Sequence, residues 1–311
     1  MIPLPIHHMD DLDVRIFREL GSPNSLQWNV RETYSGIARR IGVDEETVRR
    51  RVKRAERLGS VLGWKMVPNP LLIGCECVCV DLDVKADENK EHILQKLKQI
   101  EGIIKILNFR EVGLQLTAYY PNETVLKEMK EEVWSVCDPK NEPTVWKVSF
   151  PSLSYCKSKS IDWMIIREML EDARKSIDPV SKSIGVSVRT VSRRLTSMIE
   201  ERAIYLQGTP NFENFSGLSC VFLVFCPELA KKRSADQAVL NKMPRIEIFN
   251  TSSEKYSTFV TIFDNLAQAD EFMKFVQSLD GVKSVKMGIM KELIVIQDWL
   301  RKQLNKQISS S

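Results

Sequence analysis

The stretch YSGIARRIGVDEETVRRRVKRAERL, Tyr34 to Leu58, decides how the rest of the chain is read. Ile37 and Ile41 lie four apart and mark one apolar helix face. Gly42 interrupts that helix and gives a sharp turn the backbone freedom it needs. Asp44 stands where a side-chain oxygen caps the next helix. In that second helix Val48, Val52 and Ala55 form a buried stripe, while Arg49, Arg50, Lys53, Arg54 and Arg57 fall mostly off it. A short helix, a tight turn and an arginine-rich second helix form a helix-turn-helix, whose second helix is built to enter the major groove of DNA.

The chain repeats this pattern. Val180 to Leu195, VSKSIGVSVRTVSRRL, runs in register with Ile37 to Val52, IARRIGVDEETVRRRV. Ile184, Gly185, Val186, Thr190, Val191, Arg193 and Arg194 repeat Ile41, Gly42, Val43, Thr47, Val48, Arg50 and Arg51, and Ser187 takes the capping place of Asp44. Internal repetition of this length points to a duplicated unit.

The 311 residues are enough for two or more domains. A net charge of +4 excludes a histone-like wrapper, so any nucleic-acid footprint must be a local patch. No apolar run reaches membrane-spanning length. The opening MIPLPIHHMDD lacks the basic start and apolar core of a signal peptide, so a cytoplasmic protein with no membrane partner is expected. The 7 cysteines are an odd number and scattered, which fits a reducing compartment. Cys75, Cys77 and Cys79 alternate as along a strand and lack the spacing of a zinc site, so they read as small core residues. No metal or cofactor is expected.

Outward from the central stretch, Asp10 to Leu20 reads as a helix and Val61 to Val67 as a short wing ended by Pro68. Then follow a strand over Ile73 to Val84, a helix over Glu88 to Gln99, strands over Ile103 to Phe109 and Leu114 to Tyr120, a helix over Asn122 to Val136 and a strand over Val145 to Phe150. That order, β-α-β-β-α-β, is the ferredoxin-like arrangement. Past a polar joint at Ser152 to Ser160 the series restarts, with Ile161-Asp162 echoing Leu12-Asp13. It runs through a helix at Ile161 to Leu170, the second helix-turn-helix, a wing at Ile204 to Gln207 and a strand at Leu218 to Phe225. A helix at Lys231 to Met243, strands at Arg245 to Asn250 and Tyr256 to Phe263, a helix at Asn265 to Leu279 and a strand at Val282 to Met287 complete it. An amphipathic helix over Leu293 to Leu304 has no counterpart in the first half. The expected fold is α+β: winged helix-turn-helix domains at 1–68 and 153–210, alternating with ferredoxin-like domains at 69–152 and 211–311.

Leu12-Asp13, Ile37 to Val43, Thr47 to Val52 and their second-half echoes carry a resemblance to the Lrp/AsnC family of transcriptional regulators. The resemblance implies double-stranded DNA as partner and a ferredoxin-like domain acting as a small-molecule sensor. It also implies pairing of those sheets, as a pseudo-dimer within one chain or as a homodimer. The turns corresponding to the family's effector region lie at 110–114 and 251–256; effector-binding residues are not assigned.

Affinity for a duplex comes first from cations neutralising phosphates, and preference from side chains that reach base edges. The first recognition helix offers Thr47, Arg49, Arg50, Lys53 and Arg54; the second offers Arg189, Thr190, Ser192 and Arg193. Arg39, Arg40 and Lys182, on the preceding helices, suit phosphate contacts. Arg51 and Arg194 lie nearer the buried edge, where a carboxylate could hold each as a structural pair. No catalytic residues are expected. Two alternatives stand beside the regulator. Paired units of this build also resemble sirohaem decarboxylases, although the only histidines are His7, His8 and His92. The other alternative is a non-specific DNA-binding or protein-interaction module.

Overall fold

A computed structural model describes residues 10–20, 31–85, 89–150, 152–153, 160–214, 217–243 and 249–310. In chain order its elements are α1 (Asp11–Leu20), α2 (Tyr34–Ile41), α3 (Glu45–Arg57), β1 (Val61–Pro68), β2 (Glu76–Asp83), α4 (Lys90–Leu97), β3 (Ile103–Phe109), β4 (Gly113–Tyr120), α5 (Glu123–Cys137) and β5 (Thr144–Val148). They continue with α6 (Ser160–Met169), α7 (Ile177–Ile184), α8 (Val188–Glu200), β6 (Ile204–Pro210), β7 (Leu218–Phe225), α9 (Leu229–Lys242), β8 (Phe249–Ser252), β9 (Tyr256–Phe263), α10 (Leu266–Gln277), β10 (Ser284–Val295) and α11 (Asp298–Ser309). The fold is α+β, with helix-turn-helix heads and ferredoxin-like sheets.

Two compact units form, and neither is a continuous stretch. One gathers the described residues of Met1–Leu62, Asn108–Glu111 and Gly208–Leu293. Its head is α1, α2 and α3 around Ile16, Leu20, Ile37, Val48, Val52 and Ala55, all buried. Its sheet has the order β10-β7-β9-β8, the arrangement of a β-α-β-β-α-β unit. β7 and β9 run antiparallel with Phe222 opposite Phe259. Phe222 meets Phe263 and Phe272 edge-on at 5.8 and 5.2 Å, and Val239 of α9 and Ala269 of α10 close the same core. Rings in such contacts gain about 0.5–1.5 kcal/mol beyond their buried area. Head and sheet meet at the end of α3. The Asn211 N–H donates to the Ser60 carbonyl at 2.9 Å, and the Asn214 amide donates to the carbonyls of Leu58 and Gly59 at 2.9 and 3.2 Å.

The other unit gathers Gly63–Leu107, Val112–Gln207 and Ile294–Ser311. Its sheet order is β5-β2-β4-β3. Val78, Val80 and Leu82 of β2 face Ile93, Leu94 and Leu97 of α4 and Leu126, Met129 and Val133 of α5. The second head, α6 to α8, belongs here. Residues 63–68 of β1 and 204–207 of β6 lie in a two-stranded sheet. The loop after α6 docks on β1: Met66 N–H donates to Leu170 O at 3.1 Å and Ala173 N–H to Trp64 O at 2.7 Å. The Arg174 guanidinium lies 5.4 Å from the Trp64 ring centroid. The join at the end of α8 repeats the other unit's: Asn69 donates from its backbone to Ala203 O at 2.9 Å and from its amide to Arg202 O at 3.0 Å. α11 braces this head, with the Gln297 amide donating to Leu170 O at 2.7 Å and Arg301 pairing with Glu171.

The two joins differ at one backbone position. Gly59 has φ 68° where the repeat places Arg202 at φ 57°. A left-handed backbone costs a residue with a Cβ roughly 1–2 kcal/mol, and glycine's greater unfolded-state freedom offsets roughly 0.5–1 kcal/mol of that gain. Arg202 is exposed, so little packing is lost with its side chain. Arg202→Gly is therefore expected to stabilise by about 0.5–1 kcal/mol in chemical denaturation. A lowered midpoint would show that the Arg202 side chain contributes more than its backbone strain costs.

Several expected boundaries shift. The strand expected from Ile73 begins at Glu76, because Asn69 caps a short 3-10 turn over Pro70–Ile73 that ends at Gly74. The helix expected over Glu88 to Gln99 is shorter, Lys90–Leu97, capped by Asn89; residue 88 lies outside the described residues. Of the strand expected at Arg245 to Asn250, only its end lies among them, as the start of β8. The tail helix does not start at Leu293. β10 continues to Val295 and α11 begins at Asp298. The run Leu293-Ile294-Val295-Ile296 fits an extended backbone better than a helix, since branched side chains lose rotamer freedom in a helix. Leu300 and Leu304 are buried as expected. Most of the polar joint at Ser152 to Ser160 lies outside the described residues. Cys75, Cys77 and Cys79 are buried free thiols, and burial pushes Cys75 up to about 11.

Candidate nucleic-acid interface

Both heads make the same turn. α2 ends at Gly42 with φ 74°, and its N–H donates to Ala38 O; α7 ends at Gly185 with φ 73°, and its N–H donates to Ser181 O. The next helix is capped in the same way each time. Asp44 accepts from the Thr47 N–H at 2.7 Å and from its hydroxyl at 2.6 Å. The Thr47 hydroxyl and N–H hold the Asp44 carboxyl below the usual carboxylate range. Ser187 accepts from the Thr190 N–H at 3.1 Å, and the two hydroxyls are 2.9 Å apart. Thr47 and Thr190, two expected base contacts, are thus engaged in capping.

A buried carboxylate fixes each recognition helix to the first helix of its head. Arg51 pairs with Asp10 and, at 3.1 Å, with Asp13, whose side chain is 1% exposed. Arg194 pairs with Asp162 at 3.3 Å, and that side chain is also 1% exposed. Of the two roles open to them, both arginines take the structural one. The aspartates are the ones that echo each other in the sequence repeat. The Arg15 guanidinium adds a tie in the first head by donating to the Ile41 carbonyl.

The remaining candidates divide by whether a carboxylate already holds them. Arg40 pairs with Glu19 and, at 3.5 Å, with Glu32. Arg49 pairs with Glu45 and, at 3.3 Å, with Glu46, and lies 5.6 Å from the Tyr34 ring centroid. Lys182 pairs with Asp178 at 2.7 Å. By contrast Arg50, Lys53, Arg54 and Arg57 are exposed, and no salt bridge joins them to a carboxylate among the described residues. Their spacing, i, i+3, i+4 and i+7, places all four on one face of α3, opposite the buried Val48, Val52 and Ala55. Arg57 was not among the expected contacts at the interface, although its seven-residue step from Arg50 marks it in the sequence. In the second head the matching positions are Arg193, Thr196, Ser197 and Glu200, so that stripe carries no net charge. Arg39, Arg189 and Arg193 are exposed, and Ser192 is half-buried beside Val191.

Among the described residues no group of three or more His, Cys, Asp or Glu could hold a metal ion, and no helix is long and apolar enough to cross a membrane. His92 is exposed on α4; His7 and His8 lie outside the described residues.

Two family models match the chain at these heads. Residues 9–56 fit the AsnC-type helix-turn-helix domain, and residues 159–204 fit a winged helix-turn-helix DNA-binding domain. The HTH-type transcriptional regulator Ptr1 of Methanocaldococcus jannaschii is 33% identical over 99 residues, which are 32% of this chain and 62% of Ptr1. An uncharacterized HTH-type transcriptional regulator of Pyrococcus furiosus is 35% identical over 96 residues, 30% of this chain and 60% of that protein. The chain therefore spans about three fifths of these two relatives. Another, from Pyrococcus abyssi, is 30% identical over 112 residues, 35% of this chain and 67% of that protein. In fold, the siroheme decarboxylase NirDL is similar over nearly the whole length, 96% of this chain and 98% of that one, with a TM-score of 0.56 and 11% identity. With an AsnC-type head, a second winged head in the same chain and archaeal regulators as relatives, the chain belongs to the Lrp/AsnC family of helix-turn-helix regulators, in a tandem arrangement.

Proposed function

We propose that the chain is a double-stranded DNA-binding transcriptional regulator in which the two heads contribute unequally. The observation that carries this is the stripe of Arg50, Lys53, Arg54 and Arg57, exposed along the second helix of a helix-turn-helix and held in no salt bridge among the described residues, with Asp44 acting on Arg50 only through space. Such a stripe releases counterions when it meets phosphates, the main source of sequence-independent affinity. Arg39 flanks it, and Arg189, Ser192 and Arg193 supply the second head. The first head then contributes most of the affinity. Arg50→Ala is expected to cost the full chain roughly 1–3 kcal/mol of binding if it reads a base, and Arg193→Ala less. Equal losses in a titration against one selected duplex would contradict the inequality.

A small-molecule effector and pairing of the ferredoxin-like sheets, within one chain or between two, form the finer part of this reading. Sedimentation of the free chain and thermal shifts against candidate metabolites address them. Competition by bulk DNA over a salt series separates a regulator from a non-specific binder. A second reading, an enzyme acting on a tetrapyrrole, is left open by the whole-length likeness to NirDL, which at 11% identity is a likeness of fold alone. An intense visible absorbance band after incubation with haem or sirohaem would support it.

A further inference from the structure

We propose that Val188 and Arg189 give the second head a base preference of its own, for a thymine beside a guanine in the major groove. This rests on the reading of the chain as a DNA-binding protein and assigns the second head its part. The hydroxyls of Ser187 and Thr190 are used on each other and on the cap of α8. The front groups left to meet a ligand are Val188 and Arg189. Val188, the first residue of α8, is 46% exposed, one of five large apolar side chains so exposed among the described residues. Helical spacing would place it above Val191, which is fully buried, yet no earlier turn of helix exists to cover it. Arg189 is exposed and has no salt bridge among the described residues. In the first head the same two positions are Glu45 and Glu46, both held by Arg49. The front of α3 thus sets two carboxylates against one guanidinium and stays acidic, while the front of α8 offers a methyl-bearing surface and a guanidinium. In the major groove an apolar side chain matches the thymine methyl, and a guanidinium matches the O6 and N7 of guanine. Affinity would then come chiefly from the first head and discrimination from the second.

The test uses the full chain and a duplex selected by it from a random library. Each thymine in turn is replaced by deoxyuridine, which lacks the methyl, and each guanine by 7-deazaguanine, which lacks N7. One thymine is expected to show a loss of roughly fourfold, the worth of one methyl group. A neighbouring guanine should show roughly tenfold. Val188→Ser should abolish the first sensitivity and Arg189→Ala the second, with unchanged thermal unfolding. If Val188→Ser keeps the deoxyuridine loss, or the unsubstituted chain shows none, the assignment is wrong while DNA binding stands. If no duplex is enriched at all, the DNA-binding reading fails and this assignment with it.

Discussion

Replacing Arg50, Lys53, Arg54 and Arg57 together by alanine is expected to reduce the slope of log affinity against log salt by about 3.6, at roughly 0.9 per phosphate contact removed. All four lie on the exposed face of a single helix. Alanine is the best helix former, so the head should remain folded. The effect at low salt should be large and should fade as salt rises, because the lost term is the screened one. Lys127→Ala is the matched control: that side chain is 80% exposed on α5 of a ferredoxin-like domain, not on a recognition helix, and its removal should leave the slope unchanged. A quadruple variant that kept the original slope would show that α3 does not meet phosphates.

The second large effect is on stability. Arg194→Ala leaves Asp162, 1% exposed, without its guanidinium. Breaking a buried ion pair from one side typically costs about 3–5 kcal/mol. Arg194 itself is 18% exposed, so solvent reaches part of the pair and a loss of about 2–3 kcal/mol is expected. Chemical denaturation of the full chain measures it. Asp162→Leu combined with Arg194→Met should recover most of the loss, since a well-packed apolar pair often matches a buried ionic one. A single-variant loss below about 0.5 kcal/mol would place Arg194 with ordinary surface charges. DNA affinity of the fraction that remains folded should be little changed, because the guanidinium faces the interior of the head.

The heads were legible in the sequence because local rules make them. Gly42 and Gly185 take up the left-handed backbone that the turn needs, and Asp44 and Ser187 cap the next helix from the position their spacing indicated. The ferredoxin-like strand order appears in both sheets for the same reason. Arg51 and Arg194 were separable from their neighbours because they sit beside the buried stripe. What the sequence hid depends on distance along the chain. Glu19 and Glu32 engage Arg40 from elsewhere in the head, and no periodicity reveals that Arg40 is already held. Nor does the wing strand β1 carry any local mark that Trp64 and Met66 will meet Leu170 and Ala173, more than a hundred residues away. Each compact unit draws on both halves of the sequence, a grouping that chain order does not mark. The misplaced start of α11 has another cause. Leu293, Ile296, Leu300 and Leu304 satisfy a helical period even though their first two members belong to an extended run.

The most direct test is enrichment of duplexes from a random library by the full chain, run in parallel with the quadruple alanine variant at several salt concentrations. The expected result is a motif in two parts for the natural chain, with a weaker and less salt-sensitive enrichment for the variant. Retention of every sequence equally, or of none over bulk competitor DNA, would contradict the claim that two copies of one basic helix-turn-helix read a duplex.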